Sequence, residues 1–308
     1  MSSRAPALPG RRAPHFHGLR ARRLSNGLVR LDVLADAGPR IVRLEIGGRA
    51  RNLLAETPDV GWDTPYGPYR LLGGHRLWFA PEDPGRVAIP DGSGLRVDTV
   101  DGGLRLEGRA DPGTGIVRAI EVRLSGCRAV VDLRHELRND GERPIVLAPW
   151  PITQLPLGGV VLMPEDAAAT GHDVRPNRML ALWPYSSWDD PRLQPGDGLL
   201  LVRAAAGRRL KVGHRNIAGW VAYLRRGIVL IRRFAPVPDG PYPDLGCTVE
   251  TYCDDRFVEV ETLGPLTSLE PGEVAVHEER WEVCRVPEGP GGDPRSVADA
   301  IRAGTIAA

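Results

Sequence analysis

The feature that most constrains this chain is a hydrophobic alternation of period two that recurs through most of its length. Residues 28–34 read LVRLDVL and set Val29, Leu31 and Val33 on one face. Residues 41–46 read IVRLEI and align Val42, Leu44 and Ile46. Ile116, Ile120, Val122 and Leu124 share a face in 116–124, as do Val131, Leu133, His135 and Leu137 in 129–137. Strand side chains alternate between faces, so these runs predict half-buried β-strands. Asn26-Gly27, Asp101-Gly102, Asn139-Asp140-Gly141 and Arg226-Gly227 fall between such runs, where hairpin turns are expected. Turn signals recur at roughly 8–14 residues, the rhythm of antiparallel sandwiches. Only 296–303 reads as a helix. The pattern predicts an all-β chain, a large antiparallel β-sandwich with a short C-terminal helix. Residues 1–17 read as a flexible tail, 18–285 as a single sandwich domain, and 286–308 as a Gly/Pro-rich linker and the helix.

Charge narrows the partners. Lys+Arg 40 against Asp+Glu 39 leaves a formal net charge of +1. That balance argues against a broad nucleic-acid or anionic-membrane surface. No stretch approaches the length of a membrane helix, and the basic, Pro-rich N-terminus lacks the apolar run of a secretory signal. Cys127, Cys247, Cys253 and Cys284 form no C-x-x-C pair, which predicts reduced thiols and a cytoplasmic protein. No phosphate loop, nucleophile elbow or zinc signature is present, so no metal or cofactor is expected. The abundance of Arg, Gly, Pro and Ala points to a GC-rich genome. Lys211, the single lysine, stands out against it.

Two segments break the alternation and read as long ordered loops. Residues 56–86 hold Trp62, Tyr66, Tyr69, Trp78 and Phe79; residues 181–192 hold Trp183, Tyr185 and Trp188. Aromatic rings among Arg, Asp, Glu and His suit a sugar or polyol, whose C–H face stacks on indole while its hydroxyls meet polar groups. In 257–263, Phe257, Glu259, Glu261 and Leu263 share one face. Carboxylates two residues apart on a strand lie about 7 Å from each other, so in a cavity each raises the other's pKa and one can act as a general base. On an exposed face the same residues are ordinary surface charges. Glu250 is a further candidate on the preceding strand. His75, after Gly73-Gly74, is a candidate acid or donor, the glycine pair allowing close backbone approach or positive φ. His135, on an apolar face, reads as a core or cavity histidine.

Three motifs carry a family resemblance that spans roughly residues 25–285. FVEVETLGPLTSLEPGEVAVHEERWEV resembles the end of galactose mutarotase-like proteins, an acidic strand, a turn and a final amphipathic strand. GGHRLWFAPEDPGR resembles the Gly-Gly sugar-site loop of the glucose-6-phosphate epimerase branch. RNDGERPIVLAPWPITQL resembles the segment that carries a catalytic histidine in those enzymes. The whole looks most like an uncharacterised bacterial subgroup of the fold. The resemblance implies the galactose mutarotase-like supersandwich and aldose 1-epimerisation, in which a Glu takes the C1 hydroxyl proton while a His protonates the ring oxygen. It places Glu261 as the base. Trp150 stands where the acid His is expected, and an indole cannot exchange a proton at neutral pH. His75 is then the substitute acid, and Arg76, Trp78, Trp150, Lys211, Glu250 and Glu259 the residues lining a pocket for a sugar or polyol. Lys211 and Arg76 suit a phosphate or carboxylate on an anionic ligand. Two alternatives stay open: a non-catalytic carbohydrate-binding or regulatory module, and a different isomerase or lyase acting on an acidic sugar.

Overall fold

In the computed structural model, residues 14–47, 51–83, 86, 89–90, 94–165, 178–196, 198–287 and 291–306 are described. Nearly all the regular structure is antiparallel strand, in two large sheets. The first, of eleven strands, runs His15–Phe16, Leu19–Ser25, Val29–Leu34, Arg40–Ile46, His75–Ala80, Ile145–Pro156, Phe257–Thr262, Val249–Cys253, Leu210–His214, Ala181–Leu182. Thr267–Leu269 adds to it beside Ile145–Pro156. The second, of ten strands, runs Leu193–Gly196, Leu199–Arg203, Val160–Pro164, Trp220–Arg225, Ile228–Phe234, Val274–Arg285, Val130–Asn139, Ile116–Leu124, Gly103–Glu107, Arg96–Val100. Glu56–Thr64 and Gly67–Gly73 pair as a separate hairpin.

The alternating faces close on one another. Leu77, Leu155, Val258 and Val260 of the first sheet share a continuous core with Ile120, Leu133, Leu230 and Val283 of the second. Burial of such side chains drives the assembly, at about 25 cal/mol per Å² of apolar surface. A second cluster covers the outer side of the second sheet. There Val297, Ala298 and Ile301 of the helix Pro294–Arg302 pack on Leu162, Trp220 and Ile231. Asp293 caps that helix through the backbone N–H groups of Arg295 and Ser296.

Several expectations are corrected. Residues 56–86 are largely strand rather than loop, because the hairpin and the strand His75–Ala80 take up most of the segment. Asn139-Asp140-Gly141 is not a hairpin turn: it carries the chain from Val130–Asn139 in one sheet to Ile145–Pro156 in the other. The expected tail also ends earlier than residue 17. Phe16 is fully buried against Leu34 and Val42, and His15–Phe16 pairs with Leu19–Arg20, while residues 1–13 lie outside the described residues. Among the described residues no helix is long and apolar enough to cross a membrane.

Candidate functional site

Register decides which side chains meet. Strand pairing sets Arg76, Ile152, Glu261, Glu250 and Gly213 side by side across five strands of the first sheet. The next rows on the same face hold Trp78 opposite Trp150, and Gln154, Glu259, Tyr252 and Lys211. Directly opposite residues sit about 5 Å apart, so the row concentrates polar groups that are distant in sequence. This face turns away from the other sheet and floors a pocket of about 520 Å³, within the size range of small-molecule sites. Asp59, Val60 and Trp62 of the hairpin form one wall; Trp183 and Tyr185 of the second aromatic segment form another. Trp188 stays out, 73% exposed.

At the centre, Lys211 Nζ lies 2.8 Å from Glu250 Oε2 and 3.1 Å from Glu261 Oε2. It also sits 4.5 Å from the Trp150 ring centroid and 4.6 Å from that of Trp183, cation–π geometry in a dry setting. Burial works against this ammonium, but the Glu261 and Glu250 carboxylates outweigh it and hold its pKa well above the ordinary lysine value. Burial pushes the Glu250 carboxyl well above the usual carboxylate range despite Lys211, and repulsion from Glu261 adds to the rise. Gly213 makes room for Glu250, since a Cβ there would lie 2.9 Å from both Glu250 Cγ and Cys247 Sγ. Trp150 Nε1 donates to Glu261 Oε2 at 2.6 Å, and Glu261 Oε1 is buried with no partner.

Beside this cluster, Arg76 Nη2 donates to Glu259 Oε1 at 2.9 Å, and its guanidinium lies 4.4 Å from the Trp78 ring. Arg76 Nε and Nη1 are buried without partners. Burial raises the Glu259 carboxyl against the pull of Arg76. Glu82, also on the wall, remains exposed, and partial burial raises its carboxyl.

Of the expected residues, Arg76, Trp78, Trp150, Lys211 and Glu259 line the pocket. Glu250 and Glu261 share that face but are fully buried, and Trp150 and Lys211, both on the wall, cover Glu261 Oε2. His75 does not join them. It alternates with Arg76, so it points between the sheets, fully buried and edge-on to Trp281. His135 Nδ1 meets the His277 carbonyl at 3.0 Å and must donate; its Nε2 then accepts from His75 Nε2 at 2.8 Å. His75 Nδ1 accepts in turn from the Thr153 hydroxyl at 2.9 Å. Burial drives His75 well below the ordinary histidine pKa and His135 down to about 4. Both nitrogens of His75 are committed inside the core, so the acid role expected for it has no geometry to support it. Sequence reasoning also missed Glu82, whose only signal was its place after the aromatic run in PEDPGR. His135 is a core histidine, as expected.

No protein-family model and no curated protein sequence matches the chain. Solved structures do. A provisional aldose 1-epimerase from Escherichia coli K12 covers 87% of this chain and 100% of its own, at 13% identity and a TM-score of 0.52. A galactose mutarotase-like protein from Lactobacillus casei covers 85% and 99%, at 11% identity and a TM-score of 0.52. This chain has the galactose mutarotase-like sandwich fold. A TPR-domain containing protein from Parabacteroides distasonis superposes with a TM-score of 0.59 at 14% identity, over 88% of this chain and 50% of its own. Among the described residues the fold comprises two large sheets, a separate hairpin and a short α-helix, and the outer face of the first sheet carries the pocket.

Proposed function

We propose that the pocket binds an aldose or a polyol of that size. The single observation that carries this reading is Arg76, a pocket-wall guanidinium with two buried N–H-bearing nitrogens that no protein group satisfies. Leaving buried donors unmade costs about 1–3 kcal/mol each, which a ligand hydroxyl recovers on binding. Tryptophans 62, 78, 150 and 183 offer flat surfaces for the C–H face of a ring. The central cations are already paired, Arg76 with Glu259 and Lys211 with Glu250 and Glu261, so a neutral ligand fits better than a phosphorylated one.

Anomer exchange is the second reading, favoured by the contact between Lys211 and Glu261. In it, Glu261 takes the proton of the C1 hydroxyl, Lys211 gives one to the ring oxygen, and the C1–ring-oxygen bond breaks. Rotation about C1–C2 and the reverse steps close the other anomer: the former ring hydroxyl gives its proton back to Lys211 as its oxygen attacks C1, and Glu261 returns its proton to the C1 oxygen. The covering of Glu261 by Trp150 and Lys211, and Trp150 at the place of a catalytic histidine, weigh against it. NMR titration over a panel of aldoses and polyols tests both. Saturable binding, lost in Arg76→Met and without exchange above the uncatalysed rate, supports binding alone. Exchange abolished by Glu261→Gln replaces it with the second reading, and no binding to any member removes both.

A further inference from the structure

A second cleft lies at the far end of the core, where the two sheets part. Ile46, Leu53 and Leu155 line it from one side and Ile228 and Leu230 from the other. Three arginines, Arg51, Arg225 and Arg226, stand around this apolar floor. A fourth is near: a Cβ on Gly47, the residue after Ile46, would lie 2.8 Å from Arg285 Nη2. The sandwich is otherwise thick with Arg–carboxylate pairs, such as Arg23 with Asp32 and Arg233 with Glu282. Among the described residues, no carboxylate lies within ion-pair distance of Arg51, Arg225, Arg226 or Arg285. Burial chiefly lowers the Arg225 guanidinium; Tyr223 opposes it, and the nearby Arg226 and Arg51 add smaller lowering contributions.

The placement is built rather than loose. Arg225 Nε donates to the Leu157 carbonyl at 2.8 Å, which fixes the guanidinium plane at the rim. Tyr223 donates its hydroxyl to the Pro156 carbonyl, so its ring adds apolar wall. Arg226 takes a left-handed φ of 51° in the turn between Trp220–Arg225 and Ile228–Phe234, a conformation that costs a non-glycine residue about 1 kcal/mol. Clustered guanidiniums without counter-charge repel each other, and a bound anion removes that repulsion. Their forked donors match carboxylate and phosphate oxygens in pairs. The cleft volume is about 80 Å³. One water needs on the order of 10–15 Å³ by this measure, so the cleft takes roughly six heavy atoms.

We propose that this cleft is a binding site for a small organic anion, its apolar body on the Ile46–Leu155–Ile228 floor and its charged group held by Arg225, Arg226 and Arg51. It is separate from the aromatic pocket and does not depend on what that pocket binds.

Calorimetric titration of the full chain with hexanoate and phenyl phosphate tests it, with hexan-1-ol and inorganic phosphate as controls. Methyl NMR of Ile46 and Ile228 locates the site. We expect at least one organic anion to bind at millimolar concentration, to shift both methyl signals, and to weaken as salt is added. Arg225→Gln, or Arg226→Gln if the first variant fails to fold, should reduce affinity on the order of tenfold. Hexanoate alone binding would identify a carboxylate site, and phenyl phosphate alone a phosphate-ester site; either supports the proposal. Inorganic phosphate binding as tightly as phenyl phosphate would overturn it. So would hexan-1-ol binding as well as hexanoate, affinity unchanged in the variants, or no binding at about 10 mM.

Discussion

Replacing Lys211 by Met tests the charge arrangement beneath the pocket. The change keeps most of the aliphatic stem and removes the only cation that, among the described residues, lies within 4 Å of Glu250 and Glu261. Those carboxyl groups are direct cross-strand partners and both are fully buried. Removing one partner of a buried ion pair costs about 3–5 kcal/mol. For a chain of this size each kcal/mol lowers the melting temperature by about 2–4 °C, so Lys211→Met should melt roughly 6–20 °C below the parent at pH 8. The sign of the pH dependence follows from the groups left behind. A carboxyl whose pKa is raised on folding contributes stability below its unfolded value and loses it as pH rises through the folded one. Glu250 is raised already by burial, and without Lys211 the repulsion from Glu261 raises it further. The deficit should therefore shrink toward pH 5 and widen toward pH 8. The parent keeps the Lys211 contribution across that window, since a lysine raised on folding loses it only above its ordinary value of 10.5. Thermal melts followed by circular dichroism at pH 5, 6.5 and 8 measure this, and Lys211→Met with Glu250→Gln should recover part of the loss. A deficit of the same size at every pH would show that the lysine matters for packing and not for charge, and would refute the argument.

Three further outcomes are expected. His75→Phe should lose about 2–4 kcal/mol in urea unfolding, because His135 Nε2 and the Thr153 hydroxyl are left unpaired; sugar titrations should be unchanged, and a loss of binding with stability intact would return His75 to the site. Acid should destabilise the fold before most carboxylates titrate. His135 and His214 fall from 6.5 to about 4 on folding, so each contributes stability that is complete above pH 6.5 and worth roughly 3 kcal/mol, lost as pH drops toward 4; equal unfolding free energy at pH 7 and 4.5 would contradict that. Gly213→Ala should cost about 1–3 kcal/mol by forcing Glu250 and Cys247 to shift, and a variant as stable as the parent would show that the row yields at little cost.

How far the sequence discloses all this depends on which periodicity a residue obeys. The strands at 116–124 and 41–46 were legible to within a residue, because one face of each is apolar and the other polar. Phe257–Thr262 was legible for the same reason, and its glutamates do face the pocket side of the sheet. The strand His75–Ala80 was not. All six of its side chains are buried, as in Phe257–Thr262, but there the charges fall on one face only, whereas here His75 and Arg76 are adjacent and Leu77–Ala80 runs apolar without a break, so no alternation marks the strand. The same fact explains the error over His75. Gly73 and Gly74 do take positive φ, 89° and 74°, and their hydrogens lie so close to the Ala55 and Ile41 carbonyls that a Cβ would clash. Their close approach was readable; the direction of the next side chain was not. One residue of phase separates Arg76 on the pocket wall from His75 in the core network, and a single slip exchanges every side chain between the two faces. Pairing with Ile152 and Thr153 on one neighbouring strand and with Arg40 and Ile41 on the other fixes that phase, and partners so far away along the chain leave no local mark on the sequence of the strand.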